Sequence, residues 1–368
     1  MDLYYRDMTR KPERPLRRGW TTGACATAAT RAAYRALLTG EFPDPVTIAL
    51  PKGERPAFAL AREELGEGFA RASIVKDAGD DPDVTHCAEI VAELRRAASG
   101  TGVVFKAGPG VGTVTKPGLP LDVGEPAINP VPRAMMRATV AELAERYGDS
   151  GDLEIEISVP GGEALAAKTW NPRLGILGGL SILGTTGVVV PYSCSAWIHS
   201  IHRGIDVARA SGLDHVAGCT GSTSEKAVQA LYSLPDIAML DMGDFAGGLL
   251  KYLRKHPLPR LTIGGGFGKI SKLAAGHLDL HSGRSQVNLD WLADRLGELG
   301  ASGDTVEAAR GANTANQILT LAEDAKLPLA DAVAAWARET ALGVLAGKTE
   351  VEVLVFDRQG RLAGKSDA

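Results

Sequence analysis

The residues best equipped for chemistry sit where an apolar run meets glycine. From Leu261 to Ser271 the chain reads Leu-Thr-Ile-Gly-Gly-Gly-Phe-Gly-Lys-Ile-Ser, four glycines in five residues and then Lys269. Apolar residues followed by glycines read as a buried strand breaking into a tight loop, with a helical pattern beyond. Glycine lets backbone approach a ligand closely, and a helix N-terminus attracts anions. Gly264, Gly265, Gly266, Gly268 and Lys269 are therefore candidates for holding a nucleotide-like cofactor. The pattern is not G-x-G-x-x-G, because Lys269 stands at the third glycine. It is not a P-loop, because Ile263 stands at the first glycine and Ile270 follows the lysine.

Three earlier stretches share this grammar. Gly187 to Val190 ends in Pro191-Tyr192-Ser193-Cys194-Ser195. His215 to Cys219 ends in Thr220-Gly221-Ser222, and Ile237 to Leu240 in Asp241-Met242-Gly243-Asp244. Each precedes a helical pattern. Strands alternating with helices predict βαβ units and a parallel sheet, whose strand-to-helix loops share one edge. All four loops are expected to meet there.

A second concentration is acidic. Lys76-Asp77-Ala78-Gly79-Asp80-Asp81-Pro82-Asp83 holds four carboxylates in seven residues. They repel one another unless a cation or proton is near. Metal ligation or general acid-base work, with Asp77 and Asp80 as candidates, competes with a solvated turn. The spacing is not that of an EF-hand. A third stretch, Gly19-Trp20-Thr21-Thr22-Gly23 followed by alanines, predicts a helix capped by Thr21 or Thr22 and ending at Gly40. Its small residues suit either a binding surface or tight burial. His199 and His202 are three apart on a helical pattern but lack a third ligand, so no metal site is expected.

These stretches need a scaffold. Strands are predicted at 46–50, 70–75, 102–105 and 153–159, and alternation favours a strand over 85–94. A glycine- and proline-rich loop spans 106–118, and an extended segment, 124–133, precedes a helix over 134–147. A boundary near 180 divides an α+β domain, 1–180, from an α/β domain, 181–368. In the second, Ser222 to Glu225 has capping-box spacing and Asn288 caps another helix. Alanine-rich helices span 304–323 and 328–346. A last alternating strand, 351–355, returns to either sheet.

Composition bounds the function. The chain has 368 residues, 45% hydrophobic and 23% charged, as a globular protein does. A net charge of -4 offers no bulk attraction to nucleic acid or acidic membrane, and 5% aromatic content argues against base-stacking platforms. Four cysteines without a C-x-x-C pair fit reduced thiols in the cytoplasm. The charged start lacks the apolar core of a signal peptide, and no run is long enough to span a membrane.

Together these stretches resemble the CbiD family, the cobalt-precorrin-5B C1-methyltransferases of cobalamin biosynthesis. The resemblance rests on Gly19 to Ala29, Val75 to Thr85, Gly110 to Leu119, Gly124 to Pro132, Gly221 to Glu225, Gly243 to Phe245 and Gly265 to Leu273. It runs from about 15 to 345. Cys87 departs from it, standing where a small residue such as glycine is expected. The resemblance implies methyl transfer from S-adenosylmethionine to C1 of a cobalt corrinoid. It also implies an α+β N-terminal domain like the second domain of ribosomal protein S5, and a three-layer α/β C-terminal domain with a parallel sheet.

Such a substrate carries acetate and propionate groups, so a net-acidic protein must gather cations locally. Lys52, Lys106, Lys116 and Arg133 are candidates, with Lys168, Arg173, Lys226 and Lys272 behind them. Thr21, Thr22, Asp77 and Asp80 are expected on the substrate side, in the first domain. The cofactor is expected at Thr220, Gly221, Ser222, Asp244 and the Gly264–Lys269 stretch. Asp244 there either bonds cofactor hydroxyls or the methionine amine, or caps the next helix. His281, just past the glycines, is a further catalytic candidate. A tetrapyrrole carrier and a phosphoryl-transfer enzyme are the competing readings, and homo-oligomerisation stays open.

Overall fold

Thr21 takes extended backbone and its Oγ1 accepts the Ala24 N–H at 3.2 Å, so helix α1, Thr22–Thr39, starts there. Gly40, at φ 81, ends it. The computed structural model describes residues 15–347 and 349–366. The alanines of α1 and Tyr34 are buried. They pack on a five-stranded sheet of β1 (Arg62–Gly66), β2 (Phe69–Val75), β3 (Glu89–Arg96), β4 (Val103–Ala107) and β5 (Leu153–Ser158). The spatial order is β1-β2-β3-β5-β4, antiparallel except for the β5–β4 pair. Leu153, Ile155 and Ile157 point into the core and alternate with partly exposed Glu154, Glu156 and Ser158, the pleat's period of two. Helix α2, Pro130–Tyr147, packs against α1. It begins four residues before the expected start. Pro130 and Pro132 fit its first turn, where no N–H partner is needed.

The stretch 106–118 is tied down rather than free. Gly110–Val111 pairs with Gly179–Leu180, and Thr113–Val114 with Ile176–Leu177. Residues beyond 180 also remain with this unit, which runs to Cys194; a second unit starts at Ser195. Ile182 N–H donates to Ala127 O at 2.8 Å. Val188–Val189, expected as the first strand of the parallel sheet, instead pairs antiparallel with Gly19–Trp20. A two-residue strand bonded elsewhere cannot serve that sheet, so three loops share the edge rather than four.

In the second unit α3 (Cys194–Ala210) precedes β6 (His215–Cys219). Then come α4 (Ser222–Tyr232), β7 (Met239–Leu240), α5 (Ala246–Lys255), β8 (Arg260–Gly266) and α6 (Phe267–Ala274). Helices α7 (Leu289–Glu298), α8 (Gly303–Arg310), α9 (Ala315–Asp324) and α10 (Leu329–Leu345) lead to β9 (Glu350–Phe356) and β10 (Leu362–Lys365). The order is β7-β6-β8-β9-β10; only β10 is antiparallel. The final strands thus complete this sheet. Val228 of α4 packs with Cys219, Leu354 and Phe356 on one face, while apolar residues of α3, α5, α6 and α10 cover the other. The predicted helix 304–323 is two helices. It breaks because Thr314 and Gln317 form a capping box that starts α9. Ser222 is the first residue of α4 and not its cap.

Candidate functional sites

In the first unit the chain crosses itself at the acidic loop. Trp20 N–H donates to Asp77 O at 2.7 Å, and Asp80 N–H donates to Arg17 O at 2.9 Å. The crossing requires glycine on both sides. A Cβ on Gly19 would lie 2.0 Å from the Ala78 carbonyl carbon, and one on Gly79 would lie 2.2 Å from Arg17 O.

Each of the four carboxylates has its own partner. Asp77 pairs with the Arg17 guanidinium (Nη2 to Oδ1, 2.9 Å) and accepts the Gly79 N–H at 2.9 Å. The Arg17 hydrogen bond, with the Gly79 N–H, holds Asp77 down at about 2. Asp80 accepts the Arg17 N–H at 2.8 Å. Asp81 accepts the Tyr192 N–H at 2.8 Å, and burial raises its pKa. Asp83 faces Lys76, only 1% exposed, at 2.7 Å, and accepts Thr85 N–H and Oγ1–H at 2.7 and 2.6 Å. Burial acts to raise Asp83, but the Lys76 charge and these hydrogen bonds outweigh it and the net shift is downward.

This geometry accounts for the acidic loop's charges within the fold. A carboxylate held near 2 is a poor proton acceptor at neutral pH, and Asp77 is committed to its Arg17 pair. Among the described residues no group of three or more His, Cys, Asp or Glu is arranged to hold a metal ion. The threonine hydroxyls are also engaged within the fold. Thr21 Oγ1 caps α1, while Thr22 Oγ1 donates to Leu183 O at 3.2 Å and accepts Leu183 N–H at 3.0 Å. Both residues are buried.

The expected cations differ in availability. Lys52 is exposed in a turn, and Lys106 is half exposed beside Glu154 at 2.5 Å. The Lys116 stem covers Gly175, where a Cβ would fall 2.5 Å from Lys116 Cγ. Arg133 is a rivet: it donates to Ile128 O at 2.7 Å and Pro126 O at 3.0 Å, and pairs with Glu125 at 2.8 Å. Three of its five N–H donors are thus committed to the extended segment, and Glu125 offsets its charge.

In the second unit the chain order reverses at β6, with β7 on one side and β8 on the other. Ligands of open α/β sheets bind outside the strand C-termini at such a point. Thr220 N–H donates to Gly264 O at 2.9 Å, and Gly243 N–H to Cys219 O at 3.0 Å, which draws the loops together. Lys269, from the first turn of α6, reaches Asp244 Oδ1 and Thr220 O, each at 2.8 Å. Asp244 does not cap α5, which starts at Ala246 after Phe245.

The glycines here are of two kinds. Strand β8 runs through Gly266 and α6 starts at Phe267, so the expected loop is absent. Gly264 and Gly265 lie in the strand, where a Cβ would come within 2.7 Å of Val228 Cγ2 and of Thr220 Oγ1 respectively. Internal packing explains both. By contrast, a Cβ on Gly221 or Gly266 meets nothing within 4 Å, and one on Gly268 nothing nearer than 3.8 Å. Their φ values do not demand glycine either: Gly221 is extended at 175 and Gly266 lies at -70.

Residues 278–281 lie alongside the Asp244 turn. Leu280 N–H donates to Asp244 O at 2.8 Å, and buried Lys272 donates to Leu280 O at 2.9 Å. Burial lowers the Lys272 pKa. His281 Nδ1 accepts the Gly283 N–H at 3.1 Å, closing its own turn. Sequence reasoning missed Arg17 and Lys76 as the cations of the acidic loop, although Lys76 sits inside the motif.

The CbiD family model matches residues 9–191, and the model for the CbiD C-terminal domain matches residues 279–367. A cobalt-precorrin-5B C(1)-methyltransferase of Paramagnetospirillum magneticum is 66% identical over 96% of this chain and 98% of its own length. One of Brucella canis is 62% identical over 97% of each. A crystal structure of the cobalamin biosynthesis protein cbiD from Archaeoglobus fulgidus is 28% identical, with a TM-score of 0.40, covering 73% of this chain and 83% of that one.

Proposed function

The chain belongs to the CbiD family, and on that premise we propose that it is a cobalt-precorrin-5B C(1)-methyltransferase of cobalamin biosynthesis, with S-adenosylmethionine as methyl donor. The donor's methyl group is already activated on a sulfonium, so the protein's task is alignment, which supplies several kcal/mol of barrier reduction.

The observation that carries the cofactor's placement is the open cradle at the chain reversal. Gly221, Gly266 and Gly268 have neither a steric nor a conformational reason to be glycine within the fold. Space kept clear there suits a ligand's approach to backbone. Asp244 is the acceptor for ligand hydroxyls or an ammonium group, and Lys269 fixes Asp244 and Thr220 in place. The first unit, whose architecture we read as like the second domain of ribosomal protein S5, takes the corrinoid. Lys52 keeps an exposed ammonium group for its carboxylates, and half-exposed Lys106 would exchange its Glu154 partner for one. No helix among the described residues is long and apolar enough to cross a membrane.

Calorimetry with S-adenosylmethionine tests this reading, on the wild type and Gly266→Val, with and without a corrinoid. The wild type is expected to bind and the variant to bind at least about tenfold more weakly, while remaining folded at the assay temperature because its Cβ meets no protein atom. Equal binding by both would move the cofactor elsewhere. Absence of binding under both conditions would overturn the methyltransferase reading in favour of a carrier.

A further inference from the structure

The first unit contains a cleft of about 320 Å³ between the loop at 119–125 and the start of α2. Leu119, Leu121, Asp122, Glu125, Arg133 and Arg137 line it. Its wall is fixed before any ligand arrives. Arg133 ties Glu125, Pro126 and Ile128 together, and Pro120, Pro126, Pro130 and Pro132 restrict the backbone around it.

Arg137 lies one helical turn beyond Arg133, and both guanidiniums lie over the Phe105 ring, at 4.9 and 5.4 Å respectively. The two are otherwise unlike. Arg133 is neutralised by Glu125, whereas Arg137 has no hydrogen bond or ion pair among the described residues. A ring beneath a guanidinium holds it in place without using its N–H donors, which remain available to take a carboxylate in a two-pronged contact. The volume is near the lower limit for small-ligand pockets, so the cleft accommodates an arm of a macrocycle and not its ring.

We propose that Arg137 is a specificity-determining residue that binds a carboxylate-bearing side arm of the ligand in this cleft. This rests on the corrinoid reading above and sharpens it, since the arms of such a substrate are acetates and propionates. Asp122, also on the wall, opposes the anion and sets the strength of the contact.

The test uses the full chain and two coloured corrins: dicyanocobyrinic acid, with free carboxylates, and dicyanocobinamide, whose arms end in neutral amides. Binding is followed by absorbance and protein fluorescence. The wild type is expected to prefer the acid. Arg137→Gln lowers acid affinity about tenfold and leaves the amide unchanged, the loss expected for one charge-assisted contact. Arg137→Lys recovers part of the loss, and Asp122→Asn tightens the acid. Arg137 is exposed, so melting curves are expected to superimpose. Arg137→Gln binding the acid as the wild type does would overturn this proposal alone. A wild type that binds neither corrin would overturn the corrinoid reading and this proposal with it.

Discussion

The two units use the same small residue for opposite ends. In the acidic loop of the first, Gly19 and Gly79 let two backbones touch, and every carboxylate nearby is matched to a cation or an N–H. That region is closed. At the strand ends of the second, Gly264 and Gly265 serve packing in the same way, but Gly221 and Gly266 border empty space. A glycine motif is therefore not evidence of a ligand until its steric surroundings are known. The motif that looked most chemical by charge is the more self-contained of the two.

If the acidic loop is a closed structure, breaking its buried pair has the largest effect. Lys76→Met leaves Asp83 without its countercharge and is expected to cost about 3–5 kcal/mol, read by urea unfolding. Adding Asp83→Asn is expected to recover part of it. Gly19→Ala pushes a Cβ into the Ala78 carbonyl and is expected to cost about 3 kcal/mol, the upper range for overpacking. In the second unit Gly264→Ala displaces only side chains, for about 1–2 kcal/mol, while Gly266→Ala meets no atom and loses only its N-cap preference, for about 0.5–1 kcal/mol. A cost at 266 that exceeds the one at 264 would dissolve the distinction between the two kinds of glycine.

Smaller effects sharpen the picture. The Arg17–Asp77 pair lowers the folded pKa of Asp77 from 3.8 to about 2. Its stabilisation is therefore present above pH 3.8 and is lost as pH falls toward 2. Arg17→Gln is expected to flatten that acid limb in pH-dependent unfolding, with little effect at pH 1–2. Cys87 sits at φ 63, where an L side chain is strained. Cys87→Gly is expected to stabilise by about 0.5–1 kcal/mol, measured by thermal unfolding. A loss of stability would mean that the exposed thiol makes a contact worth more than the strain.

Much of the fold was legible because it depends on local signals. Thr21 and Gly40 bracket α1, Leu153 to Ser158 alternate, and Asn288 caps its helix, each within a few residues of sequence. What escaped depends on partners far along the chain. Val188–Val189 reads as a buried strand, but its partner is Gly19–Trp20. Gly264 reads as a loop glycine until Val228 and Leu354 are set beside it. The left-handed backbone at Cys87 accounts for the glycine expected there, a fact visible only in dihedral angles. The Asp244–Lys269 pair joins a loop to the first turn of α6, which no spacing rule connects.

Strand β8 has one more consequence, for how the protein is made. It can pair with β6 soon after synthesis, but its other neighbour is β9, with Arg260 opposite Glu350 and Gly266 opposite Phe356. At bacterial-type elongation rates of about 5–20 residues per second, those ninety residues take roughly 5–20 s. Throughout that time the ribosome holds a nascent chain with one apolar strand edge unpaired, carrying Leu261 and Ile263. Unpaired edges recruit other chains. The yield of soluble protein on overproduction is therefore expected to rise when expression is cooled or slowed at initiation, and an unchanged yield would show that this edge is not what limits it.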